Sequence, residues 1–70
     1  MSMKSIAKVI EVVGSSKNSW ADAADRAVRT ASKTVKNITG VQVLHMTAQV
    51  RDGKIKTYKT TVKVAFGIEG

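Results

Sequence analysis

The segment from Ser19 to Asn37 is the one stretch of this sequence with a strong helical period, so the rest of the chain must be arranged around it. At about 100° per residue, Trp20, Ala24, Ala27, Val28, Ala31, Val35 and Ile38 fall within one arc. Asp22, Asp25, Arg26, Arg29, Lys33 and Lys36 occupy the opposite side. Ser19 followed three residues later by Asp22 reads as a capping box with a short carboxylate. Asp22/Arg26 and Asp25/Arg29 are i,i+4 pairs in the order that suits the helix dipole. Gly40 is placed to let the chain leave the helix. Because the apolar stripe is mostly alanine, whatever covers it must approach closely.

The flanking segments carry a two-residue period instead. From Lys4, Ile6, Ile10 and Val12 point one way and Ala7, Val9, Glu11 and Val13 the other, a strand apolar on both faces. Residues 1–3 read as a disordered start, and Gly14 to Asn18 as a turn cluster. After Gly40 a second strand sets Leu44, Met46, Ala48 and Val50 against His45, Thr47, Gln49 and Arg51. Asp52-Gly53 is a strong hairpin signal, because a type I′ turn needs φ > 0 at both central residues. A third strand from Lys54 to about Ile68 turns Tyr58, Thr60, Val62, Val64, Phe66 and Ile68 inward. The expected fold is α+β, in β-α-β-β order. Its three-stranded antiparallel sheet has the order 1-3-2, and one helix packs on one face of a single domain spanning residues 1–70.

Hairpin register sets which polar residues meet. An unbroken two-residue turn would place His45 opposite Thr60 and Lys59 opposite Met46, mixing the two faces. A one-residue bulge or a longer turn restores the segregation, and a bulged hairpin is expected. His45, Thr47, Lys59, Thr61 and Lys63 then share the face away from the helix.

Seventy residues without cysteine leave oligomerisation as the stabilising device still open to so small a domain. One helix cannot cover a long sheet, and copies of the chain are the obvious cover. No apolar run approaches the length of a membrane span and no signal-peptide core is present, so the expectation is a soluble, cytoplasmic protein. Twelve Lys and Arg against five Asp and Glu give a net charge of +7, which suits an anionic partner.

Several segments, in order and spacing, resemble the dodecin family. They are Lys8-Val-Ile-Glu-Val-Val-Gly-Ser-Ser16, Ser19-Trp20 opening an alanine-rich helix, Val35-Lys-Asn-Ile38, and Tyr58-Lys-Thr-Thr-Val-Lys-Val-Ala-Phe66. The similarity runs from about residue 6 to 68. It implies a β-α-β-β subunit assembled as a hollow dodecamer that binds and sequesters flavins without turning them over. The flavin contacts of the family do not carry over. Gly40 stands where a stacking Trp is expected, Lys59 where a Gln bonds the ring, and Thr47 and Gly67 where some bacterial members have Arg. Trp20 lies on the apolar stripe and reads as core. The sequence is closer to a second dodecin type lacking the stacking Trp, for which calcium has been suggested as a ligand. Its five carboxylates, Glu11, Asp22, Asp25, Asp52 and Glu69, form no readable calcium cage.

The expected ligand surface comprises Lys59, Lys63, Thr61, Gln49, His45 and Gly40, taking a small anionic or flavin-like ligand such as FMN or riboflavin. No catalytic set is visible, since His45 has neither a nucleophile nor a carboxylate partner in the pattern, and an enzyme is not expected. Nor is a protein metal site expected. Nucleic-acid recognition lacks interleaved aromatics and any binding signature, leaving only nonspecific basic contact. That contact, or a purely structural or storage oligomer, is the alternative function. The stripe is too rich in alanine to insert into a membrane surface.

Overall fold

The computed structural model describes residues 6–68, with side-chain surroundings for residues 8–67. The expected disordered start at residues 1–3, the inward placement of Ile6 and Ile68, and the carboxylate of Glu69 lie outside those bounds. Strand β1 spans Ile6–Ser16, helix α1 Trp20–Ala31, strand β2 Ile38–Arg51 and strand β3 Lys54–Ile68. The three strands form one antiparallel sheet in the order β1-β3-β2, as the pattern requires.

Helix α1 begins where the cap places it. Ser19 is extended (φ −169°, ψ 165°), and its hydroxyl accepts the Asp22 N–H at 2.9 Å. The reciprocal half of the capping box is replaced. The Asp22 carboxylate accepts from Ser16 Oγ at 2.6 Å and Arg26 Nε at 2.8 Å, while Ser16 Oγ itself accepts the Asn18 and Ser19 N–H groups. Both i,i+4 ion pairs form, Asp22–Arg26 at 2.8 Å and Asp25–Arg29 at 3.2 Å.

The helix ends at Ala31, short of the expected Asn37. Beyond Ala31 the hydroxyl-bearing residues compete for the terminal carbonyls. Ser32 Oγ donates to Arg29 O at 2.8 Å and Thr34 Oγ1 to Ala31 O at 3.4 Å. Asn37 then turns the chain with φ +63°, the task expected of Gly40, and its carbonyl accepts the Gly67 N–H at 3.0 Å. Ile38 shares the stripe's angular phase but enters the core from β2, packing against Ala27, Ala31, Val62 and Val64. Gly40 is a strand residue opposite Ala65.

Gly14 also departs from expectation. It is not a turn residue but lies within β1, opposite Thr60 and buried beneath the helix. A Cβ there would sit 1.9 Å from the Ala23 carbonyl oxygen and 3.0 Å from the Ala27 Cβ. Helix backbone and strand backbone therefore touch, and the buried line along α1 is Ala23, Ala27 and Ala31. With Val62 and Val64 from β3, these make up the buried apolar core among the described residues.

The β2–β3 hairpin turns at Asp52 (φ 54°) and Gly53 (φ 74°), with Arg51 opposite Lys54. Register slips at three places. Lys56 is the extra residue near the turn, Leu44 in mid-strand and Thr39 at the start of β2. The first slip sets His45 opposite Thr61 and Met46 opposite Thr60, the segregation expected of a bulged hairpin. The second removes Leu44 from the alternating apolar face assigned to it, and Val41 and Val43 then stand opposite Val64 and Val62. Because α1 lies over β1 and β3, this part of β2 stays uncovered: Val41, Val43 and Met46 are 46%, 47% and 60% exposed.

Candidate functional site

The sheet face away from the helix is built from alternate residues of all three strands. On β3 these are Thr57, Lys59, Thr61 and Lys63, then Ala65. Lys59 lies between Ser15 and Thr47, Thr61 between Val13 and His45, and Lys63 between Glu11 and Gln42. Gln49 lies opposite Thr57, and Gly40 opposite Ala65 beside Val9. The six residues expected to bind ligand therefore share one face. Lys59, Thr61 and Lys63 run along the central strand, His45 adjoins Thr61, and Gln49 and Gly40 mark opposite ends.

The chemistry of this face is cationic and hydroxyl-rich. Among the described residues, both ion pairs lie on the helix, so Lys59, Lys63 and Glu11 are outside any such pair. Glu11 is the neighbour of this face that sequence pattern alone did not bring here. Its parity in β1 was legible, but its place beside Lys63 depends on the β1–β3 register.

Gly40 leaves a gap. A Cβ built on it meets nothing within 4 Å, and its φ is not in the left-handed region. The same open space surrounds Gly67. Trp20 does not fill the gap, since it is engaged on the helix side. Its indole N–H donates to the Thr47 carbonyl at 2.8 Å, and its ring stands edge-on to Tyr58 with centroids 4.8 Å apart. Trp20 is only half-buried, so it flanks the core rather than occupying it. Thr60 Oγ1 donates to the Trp20 carbonyl at 2.9 Å and ties the helix start to β3.

A separate groove of about 440 Å³ lies at the β1–α1 junction, lined by Ser15, Ser16, Lys17, Asn18, Arg26 and Thr57. The hydrogen bond from Ser16, followed by the Arg26 guanidinium, holds the Asp22 carboxyl below the usual aspartate range. These polar groups satisfy one another and serve the helix start. Among the described residues, no three His, Cys, Asp or Glu side chains group as metal ligands, and no helix is long and apolar enough to cross a membrane.

The profile of the dodecin family matches residues 6–69. The chain belongs to the dodecin family. Its structure is similar to that of dodecin from Streptomyces coelicolor, with a TM-score of 0.92, 28% identity and 99% of each chain covered. Dodecin from Streptomyces davaonensis gives a TM-score of 0.90 at 27% identity, over 94% of this chain and 97% of that one. A dodecin from Mycobacterium tuberculosis, described as calcium-chelating with a calcium-binding site, is 35% identical, with a TM-score of 0.79 and 91% of each chain covered. No curated protein matches the chain. Dodecin family and dodecin fold together support a small self-assembling, ligand-binding protein.

Proposed function

We propose that this dodecin is a cytoplasmic homododecamer that binds and sequesters a small anionic or flavin-like ligand, holding it without converting it. The ligand surface in this reading comprises Lys59, Lys63, Thr61, Gln49, His45 and Gly40. The observation that carries it is the open sheet face, where these residues lie together with two lysines half-buried on the central strand. Family membership supports the assembly, and so does the apolar surface of β2 that the single helix leaves uncovered.

Flavin is the ligand class that membership of the dodecin family implies, but this chain is poorly equipped for it. An aromatic stacking on a planar ring contributes about 1–3 kcal/mol, and Gly40 offers no surface in its place. FMN or riboflavin should therefore bind far more weakly than to a Trp-bearing dodecin. Because a Cβ at Gly40 meets nothing within 4 Å, Gly40→Trp with Lys59→Gln should raise affinity about five- to 140-fold, taking about 1.4 kcal/mol as tenfold. Quenching of flavin fluorescence measures this. Submicromolar binding by the unmodified protein, or no gain in the double variant, contradicts the placement of the site.

Calcium is favoured less, although the Mycobacterium relative is described as binding it. Asp22 and Asp25 are held by Arg26 and Arg29, and Glu11 stands beside Lys63. Among the described residues, no group of carboxylates within one copy is arranged to hold the ion.

A further inference from the structure

We propose that the side chains around Thr61 form a site for a doubly charged oxyanion of the sulfate or phosphomonoester class, and that protonation of His45 strengthens it. The inference rests on the reading of the open face as the ligand surface and narrows it to one chemistry.

The geometry is a cross centred on Thr61. Along β3, Lys59 and Lys63 lie two residues to either side, each roughly 7 Å away at about 3.4 Å per residue. That offset is within the span of a flexible four-carbon lysine stem, so both ammonium groups can converge above Thr61. Across the ladder, His45 lies directly opposite Thr61 and diagonal to both lysines. An oxyanion above the centre meets a hydroxyl donor, two ammonium groups and an imidazole. A planar neutral ring would leave most of these donors unused.

The charged and polar groups facing this cross come from all three strands. On β1 they are Glu11 beside Lys63 and Ser15 beside Lys59, with apolar Val13 between them. On β2 they are Gln42, Thr47 and Gln49 around His45. Arg51 lies further off, opposite Lys54 at the turn. Glu11 is the one carboxylate in the set and opposes anion binding. With His45 neutral, the balance of Lys59, Lys63 and Glu11 is a single positive charge. Protonating the imidazole doubles it. Histidine is the side chain that ordinarily makes this change between pH 5 and 8.

Sulfate is the suitable probe, because its charge is constant across that range. The assembled protein is titrated with sulfate by calorimetry at pH 8 and pH 5.5, with ionic strength matched by chloride. An added charge within several ångströms in a hydrated setting corresponds to about three- to tenfold tighter binding at pH 5.5. His45→Gln should abolish the difference between the two pH values. Glu11→Gln should tighten binding at both pH values, and Lys63→Met should weaken it at both. Equal affinity at the two pH values, a gain that persists in His45→Gln, or displacement of sulfate by equimolar chloride overturns the proposal. If sulfate fails while the particle stays assembled and the flavin response of the Gly40→Trp, Lys59→Gln variant is present, only the oxyanion site is lost. A monomer in solution removes the broader reading instead.

Discussion

Gly14 sets how closely the helix can approach the sheet. Any side chain there meets the Ala23 carbonyl oxygen, a backbone atom that cannot swing aside, with the Ala27 methyl close behind. Overpacking a well-filled core commonly costs about 1–3 kcal/mol, and a backbone obstacle belongs at the upper end. Gly14→Ala is therefore expected to destabilise by about 2–3 kcal/mol in urea unfolding, with loss of assembly. A variant as stable as the parent contradicts the backbone contact. This residue also shows a limit of sequence reading. Gly14 stands beside Ser15, Ser16, Lys17 and Asn18, so its composition signals a turn, whereas its role comes from a helix whose distance no local pattern encodes. Ala23 was missed for the same reason. The stripe could be rotated by one residue until contact with Gly14 fixed its angle.

At the scale of elements, strand period, turn chemistry and helix start were legible because each is set locally. Ser19 caps the helix, and Asp52-Gly53 makes the turn. The helix end was not legible, because Ser32 and Thr34 capture carbonyls while Ile38 is drawn into the sheet. A bulge was required by the clash between turn register and face pattern, but its placement at Lys56 and the second one at Leu44 depend on three-strand pairing. The junction of β1 and α1 makes a pH prediction. Asp22 has its pKa lowered in the folded protein, first by Ser16 and then by Arg26. Its contribution is thus fully present above the unfolded aspartate value near pH 4 and is lost as pH falls through the lowered folded value. Asp22→Asn should be less stable than the parent at pH 7, by unfolding midpoint at fixed protein concentration. The gap should close as pH drops below about 4. A gap that is constant down to pH 2 contradicts the linkage.

Across the whole molecule, burial and exposure are mismatched. Val62 and Val64 are the large apolar side chains fully buried, whereas Val9, Ile10, Val13, Val41, Val43, Met46, Val50 and Ile55 remain exposed. In the proposed assembly, contact between copies covers surface of this kind. The candidate site was legible in outline, since alternation put His45, Thr61, Lys59 and Lys63 on one face. Its centre was not, because the partners of Thr61 depend on the slip at Lys56 and on the β1–β3 register. Charge bears on assembly as well. Twelve copies at +7 give 12 × 7 = +84, and exposed charges are screened only beyond about 8 Å at physiological salt. Bound anions should therefore stabilise the particle. The central claim, a closed assembly of twelve copies, is tested most directly by the solution mass from light scattering at micromolar concentration and physiological salt. With a subunit of 7.5 kDa, the expected mass is 12 × 7.5, about 90 kDa, unchanged on dilution. A mass of one or two subunits under those conditions contradicts the account.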